Sequence, residues 1–151
     1  MAKEAIDVLN GLIHTSEDGH KGFNEAADVA TDPQLKIFFR ENAEDCERAV
    51  RELRAQVREL GGDPTSGGSV AGAAHRGWVK VKSVVEDPNR AVLEECERGQ
   101  DVAKAAYTKA LKAELPPAAR ALVERQAQGA LRNHDRVRAL RDEWKATQSA
   151  H

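Results

Sequence analysis

The fold is decided by residues 61–88, which read GGDPTSGGSVAGAAHRGWVKVKSVVEDP. The first half of this connector is rich in Gly and Ser and predicts coil, whereas residues 74–86 predict one short helix containing Trp78. Antiparallel neighbouring helices need only a few connecting residues. The helix before the connector is predicted to be about 42 Å long at 1.5 Å per residue. The connector is long enough to return along that whole length.

Four long helices flank this connector. Apolar residues recur at spacings of three and four along each, and no strand-like alternation is present. Asp32 and Pro33 suit a helix cap and a first helical position, and Gly61 suits a helix end. The predicted helices are 3–30, 33–60, 88–114 and 116–144, with the short crossover helix at 74–86. They form one domain, residues 1–146, followed by a frayed tail at 147–151.

These lengths predict an all-α fold, a ferritin-like four-helix bundle with a long crossover containing a short helix between helices 2 and 3. The alternative is a simple up-and-down bundle with a decorated loop. In the crossover topology, the ends near Ala30, Pro33, Pro88 and Trp144 all lie at one end of the bundle.

Composition narrows the classes of function. The chain has 151 residues, 32% of them charged, and a net charge of −2. A nucleic-acid or anionic-membrane partner would favour a basic excess, so neither is expected. No apolar run reaches the ~20 residues of a membrane span, and the first residues lack a signal-peptide core. We expect a cytoplasmic protein.

Polar residues from all four helices converge on one level of the predicted bundle. Buried polar groups cost free energy unless they are paired, so their convergence suggests a shared purpose. The expected interior polar layer is Asn42, Cys46, Gln100, Gln126 and Asn133. The expected metal ligands beside it are Glu17, His20, Glu97, Asp101 and His134. Cys46 and Cys96 are expected to be reduced, buried side chains.

Two interpretations of this layer compete. It holds iron or another divalent metal, or it is a hydrogen-bonded network that fixes the register of the helices. Di-metal bundles use Glu-x-x-His pairs on two helices, whereas this chain has only Glu17-x-x-His20. The spacing therefore favours the network, and a single zinc ion held by Glu17, His20 and Cys46 is a third possibility.

Several motifs resemble a known family. Residues 12–19 (LIHTSEDG), 60–64 (LGGDP), 75–78 (HRGW), 96–101 (CERGQD) and 134–135 (HD) are similar to those of the ferritin-like bacterial family DUF2383. The resemblance extends from Ala5 to Asp142. It implies a ferritin-like fold and no established activity. Glu is common in that family at the positions of His14, His20 and Gln100, and these departures weaken an iron-oxidising function.

The sequence thus gives two hypotheses. The first is a non-catalytic bundle that acts as a homo-oligomer, such as a dimer, or through a protein partner; the family resemblance further implies a stress-related role. The second is a metal-binding or oxidase protein with a degenerate carboxylate and histidine site.

Overall fold

A computed structural model of the protein describes residues 2–64 and 86–149. Within these ranges the chain forms four helices and no strand. The predicted crossover helix at 74–86 lies outside the described residues. The helices are α1 (Ala2–Val29), α2 (Pro33–Glu59), α3 (Pro88–Ala110) and α4 (Pro117–Ser149).

Local signals in the sequence set the bounds of α2. The Asp32 carboxylate accepts hydrogen bonds from the backbone N–H groups of Gln34 (2.8 Å) and Leu35 (3.3 Å), and Pro33 follows it. At the other end, Gly61 takes a left-handed conformation with φ +84°. The N–H groups of Gly61 and Gly62 then donate to carbonyls of the last turn, as in a Schellman motif.

Hydrogen bonds at one end of the bundle establish the topology. The Asn89 Oδ1 atom, in the first turn of α3, accepts from the N–H groups of Thr31 (2.8 Å) and Asp32 (3.2 Å) between α1 and α2. Near the far end of α4, the Trp144 indole donates to the Asp87 carboxylate at 3.0 Å. The start of α3 therefore lies beside the turn that precedes α2. Helices α2 and α3 run parallel, which confirms the long crossover of a ferritin-like bundle.

Two helix ends differ from those predicted. Helix α3 ends at Ala110 and not at Glu114, and the Arg120 guanidinium bonds the Leu111 and Ala113 carbonyls beyond it. Helix α4 continues to Ser149, past the predicted end at Trp144.

The core consists of two apolar clusters stacked along the bundle. One, which includes Phe23, Phe39 and Val92, lies towards the Asn89 end. The other, which includes Leu9 and Leu53, lies towards the opposite end. No helix in the described part of the chain is long and apolar enough to cross a membrane.

Candidate functional site: a cavity between two apolar clusters

A cavity of about 650 Å³ lies inside the bundle between the two apolar clusters. All four helices contribute to its wall. Its inner lining combines apolar side chains with hydroxyl, thiol and amide groups. These inner residues are Ser16, Phe23, Cys46, Ala49, Cys96, Gln100, Ala103, Tyr107, Gln126, Ala130 and Asn133.

A hydrogen-bonded chain crosses the bundle on one side of the cavity. The Tyr107 hydroxyl donates to Gln126 Oε1 at 2.9 Å. The Gln126 Nε2 atom donates to Glu52 Oε1 (3.2 Å) and to the Ala49 carbonyl (3.4 Å). Burial, above all, raises the pKa of Tyr107 to about 12, although a hydrogen bond with Ser16 opposes the rise. The phenol is therefore neutral at physiological pH.

Both cysteines line the cavity and neither forms a disulfide. Burial, with a smaller contribution from Asp45, raises the pKa of Cys46 to about 12. Burial likewise raises the pKa of Cys96. Because only the thiolate is a strong nucleophile, both thiols are poorly reactive in the folded protein.

Several glycines line the cavity, where they contribute no side chain. A Cβ atom on Gly19 would lie 2.9 Å from the Cys46 Sγ atom, so only glycine gives this close approach of α1 to α2 without a shift. Gly22, Gly99 and Gly129 also line the cavity, from α1, α3 and α4. Glycine is unfavourable inside helices, and its recurrence here leaves space where side chains would otherwise fill the bundle.

The rim of the cavity is charged but largely paired. Arg48 pairs with Asp45 at 3.2 Å and Arg125 with Glu52 at 3.0 Å. A third pair joins Arg98 to Glu95.

Asp18, also at the rim, is the acid outside these three pairs. Burial is the main cause that raises the pKa of Asp18, against the opposing effects of Lys21 and His14. Its Oδ2 atom is buried and has no hydrogen-bond partner among the described residues.

The predicted metal ligands on α1 turn towards α2. Glu17 forms an ion pair with Arg54 at 2.7 Å, and His20 lies 3.8 Å from the Glu47 carboxylate. The His20 side chain is 37% exposed, so it lies at the surface between α1 and α2 and not in the interior as predicted.

The predicted ligands on α3 and α4 form a separate group. Glu97 pairs with Arg141. His134, which is buried, has Nε2 2.5 Å from Asp101 Oδ1 and Nδ1 3.2 Å from Asp135 Oδ1. Asp101 is itself mostly exposed.

The structure therefore splits the five predicted ligands between two helix pairs and does not bring them together. Across the described ranges, no three His, Cys, Asp or Glu side chains are placed to hold one metal ion. Two of the acids already bind guanidinium groups. As these side chains are oriented, the donor set does not fit a di-metal centre.

The predicted polar layer is brought together more closely. Cys46, Gln100, Gln126 and Asn133 all line the cavity. Asn42 does not: its Nδ2 atom donates to the Phe38 carbonyl at 2.8 Å, within its own helix. Its buried Oδ1 atom has no partner among the described residues.

Sequence reasoning did not identify the cavity or all of its lining. It did not name Ser16, Phe23 or Tyr107 as part of any site. The available signal was the set of mid-helix glycines at one level, which are Gly19, Gly22, Gly99 and Gly129, because none of them places a side chain at the cavity.

The fold and the polar level inside it define a ferritin-like four-helix bundle protein. The chain belongs to the family described as "Domain of unknown function (DUF2383)", which matches residues 4–113. Among solved structures it is similar to a point mutant of Dps1 from Mycobacterium smegmatis, with a TM-score of 0.77 and 18% sequence identity. That match covers 93% of this chain and 96% of the other. No curated protein sequence matches.

Proposed function

We propose that this protein is a non-catalytic ferritin-like bundle that acts through self-association or through a protein partner. The observation that supports it is the pairing of the predicted metal ligands. Glu17 and Glu97, the two best-placed carboxylates, each bind an arginine from a neighbouring helix. The proposal places the protein in the bacterial cytoplasm, in a stress-related role.

The pairing has an energetic consequence for metal binding. Glu17 and Glu97 are mostly buried, with side chains 13% and 16% exposed. Breaking a largely buried ion pair leaves an uncompensated charge. A metal ion would have to displace Arg54 from Glu17, or displace Arg141 from Glu97 and leave it only its contact with Asp142. The carboxylates therefore serve to hold helices together.

Three exposed apolar side chains are the positions at which we test the association role. Ile37, Val102 and Leu131 are 57%, 52% and 43% exposed on three different helices. Large apolar side chains at a surface become favourable when a second molecule covers them.

The competing function is the binding of iron or another divalent metal at the degenerate carboxylate and histidine site. The test is metal analysis of protein purified without a chelator, followed by anaerobic Fe(II) addition and exposure to air. We expect metal-free protein and oxygen consumption equal to the protein-free control. Two metal equivalents with rapid oxygen consumption would refute the non-catalytic proposal.

Sedimentation velocity across a concentration series tests the self-association part. We expect a species larger than a monomer, and a shift towards monomer when Ile37, Val102 or Leu131 is replaced by Lys. Ala105→Lys, at an exposed small residue, is the control and should sediment as the wild type does. A monomer at every concentration would refute self-association, and the partner route would then be examined by cross-linking.

A further inference from the structure

We propose that the cavity between the two apolar clusters is a binding site for an uncharged, amphipathic organic molecule. This goes beyond the proposed function, since it assigns a ligand to the interior of the bundle and does not depend on association. Three properties of the cavity carry it: its size, its unused hydrogen-bonding groups and its balance of charge.

The size is that of a ligand site. The volume of about 650 Å³ falls within the roughly 300–1,000 Å³ typical of small-molecule pockets. Protein interiors are otherwise close-packed, with few voids larger than a water molecule. The two clusters on either side pack in the ordinary way, with side chains such as Phe39, Leu9 and Leu53 fully buried. The cavity lies at the level between them.

The hydrogen-bonding capacity at this level is only partly used. Gln126 is engaged by Tyr107 and Glu52. Gln100 lines the cavity, is 6% exposed, and makes no side-chain hydrogen bond to any described residue. An amide can donate two hydrogen bonds and accept two. The Gln100 amide can therefore bond a ligand carbonyl, hydroxyl or amide that enters the cavity.

The charges around the cavity favour a neutral ligand. The four lining acids (Asp18, Asp45, Glu52, Glu95) are matched by four lining arginines (Arg48, Arg98, Arg125, Arg132). Three of these arginines pair with three of the acids. The remaining two, Asp18 and Arg132, lie at the rim, where Arg132 is exposed to solvent. The interior groups are uncharged thiols, hydroxyls and amides. An ionised ligand deeper in the cavity would be desolvated away from any counter-charge, which is unfavourable.

Apolar residues complete the amphipathic character. Phe23 and Cys96 belong to the apolar cluster at the Asn89 end of the bundle. Ala103 and Ala130 also line the cavity. The ligand would place an apolar body against these residues and its polar group towards Gln100.

The test uses N-phenyl-1-naphthylamine, a neutral probe that fluoresces more strongly in apolar surroundings. We expect saturable binding of one probe per chain. Ala103→Trp fills the cavity and should weaken binding at least tenfold. Ala105→Trp, two residues along the same helix at an exposed position outside this cavity, should leave binding unchanged. Circular dichroism melts establish that both variants are folded.

Two results would overturn the proposal that this cavity is a binding site. One is the absence of saturable binding to the folded wild type. The other is equal binding by the Ala103→Trp and Ala105→Trp variants, which would place the probe on the surface. Neither result bears on metal content or on sedimentation, so failure here is distinguishable from failure of the proposed function.

Two further arms test the chemical class. Anilinonaphthalene sulfonate has the same rings plus a sulfonate, and we expect it to bind at least tenfold more weakly. Equally tight binding that Ala103→Trp abolishes would overturn the neutral class. Gln100→Leu should weaken binding of the carbonyl-bearing dye Nile red severalfold and leave N-phenyl-1-naphthylamine unaffected. Identical effects on both probes would overturn the role of the Gln100 amide.

Discussion

At the residue scale, counting along the helices predicts how deep a side chain lies but not which neighbour it faces. Glu17 and His20 are at the expected level, yet they share a face of α1 with Asn24, which contacts Arg40 of α2. A rotation of that face by less than a quarter turn separates an interior ligand from a surface ion pair. The amides of the polar layer were predictable because several lie on the apolar stripes themselves.

Asp18 gives a prediction at this scale. Its pKa is raised above the ordinary value of 3.8, so the folded protein holds this proton more tightly than the unfolded chain does. Ionisation above the folded pKa therefore lowers the free energy of unfolding. Asp18→Asn should stabilise the protein at pH 7, by less than about 1 kcal/mol because solvent still reaches the group. The gain should shrink as the pH falls towards 3.8.

Urea unfolding at several pH values measures this difference. Asp7→Asn is the matched control, since Asp7 is an exposed aspartate on the same helix. A gain for Asp18→Asn that is constant with pH, or equal to that of the control, would contradict the assignment.

At the element scale, a helix end was predictable when residues next to it in the sequence cap it. A helix end bonded by a residue farther along the chain was not predictable. Asp32 and Pro33 mark the start of α2, and Gly61 marks its end, as the sequence indicates. The early end of α3 involves the Arg120 guanidinium, which bonds the Leu111 carbonyl nine residues earlier in the chain. No local pattern reports such a contact.

Replacing two glycines by alanine should change the free energy of unfolding in opposite directions. Gly61 has φ +84° and open space around its missing Cβ, so Gly61→Ala should cost about 1 kcal/mol through backbone strain alone. Gly11 lies exposed inside α1 with equally open space, so Gly11→Ala should gain up to about 1 kcal/mol. Thermal and urea unfolding measure both. A stabilising Gly61→Ala would show that the positive φ is not required.

At the scale of the whole molecule, the topology followed from one number, the length of the connector. Only a connector of that length can join opposite ends of the bundle, and the hydrogen bonds of Asp63, Asn89 and Trp144 place its two ends there. The cavity could not be derived in the same way, because its volume depends on how far four helices separate at one level.

Asn89 should contribute more to the free energy of unfolding than an ordinary surface amide does. Asn89→Ala leaves the N–H groups of Thr31 and Asp32 without their acceptor. The loss should cost about 1–3 kcal/mol in total, because Thr31 is exposed and water replaces part of the lost acceptor. Asn24→Ala removes only an exposed contact with Arg40 and should cost less than about 1 kcal/mol. Equilibrium urea unfolding compares them. Equal losses would mean that the Asn89 contacts do not secure the α1–α2 turn.

The hydrogen bonds between Asn89 and the α1–α2 turn also affect the order in which the molecule folds. The hairpins α1–α2 (residues 2–59) and α3–α4 (residues 88–149) close by short connections. Asn89 and Thr31, by contrast, are 58 residues apart and belong to different hairpins. Loop closure over such a separation carries a larger entropy cost and is compensated only once both hairpins exist. We therefore expect each hairpin to form early, and the docking of the two hairpins through Asn89 to set the refolding rate.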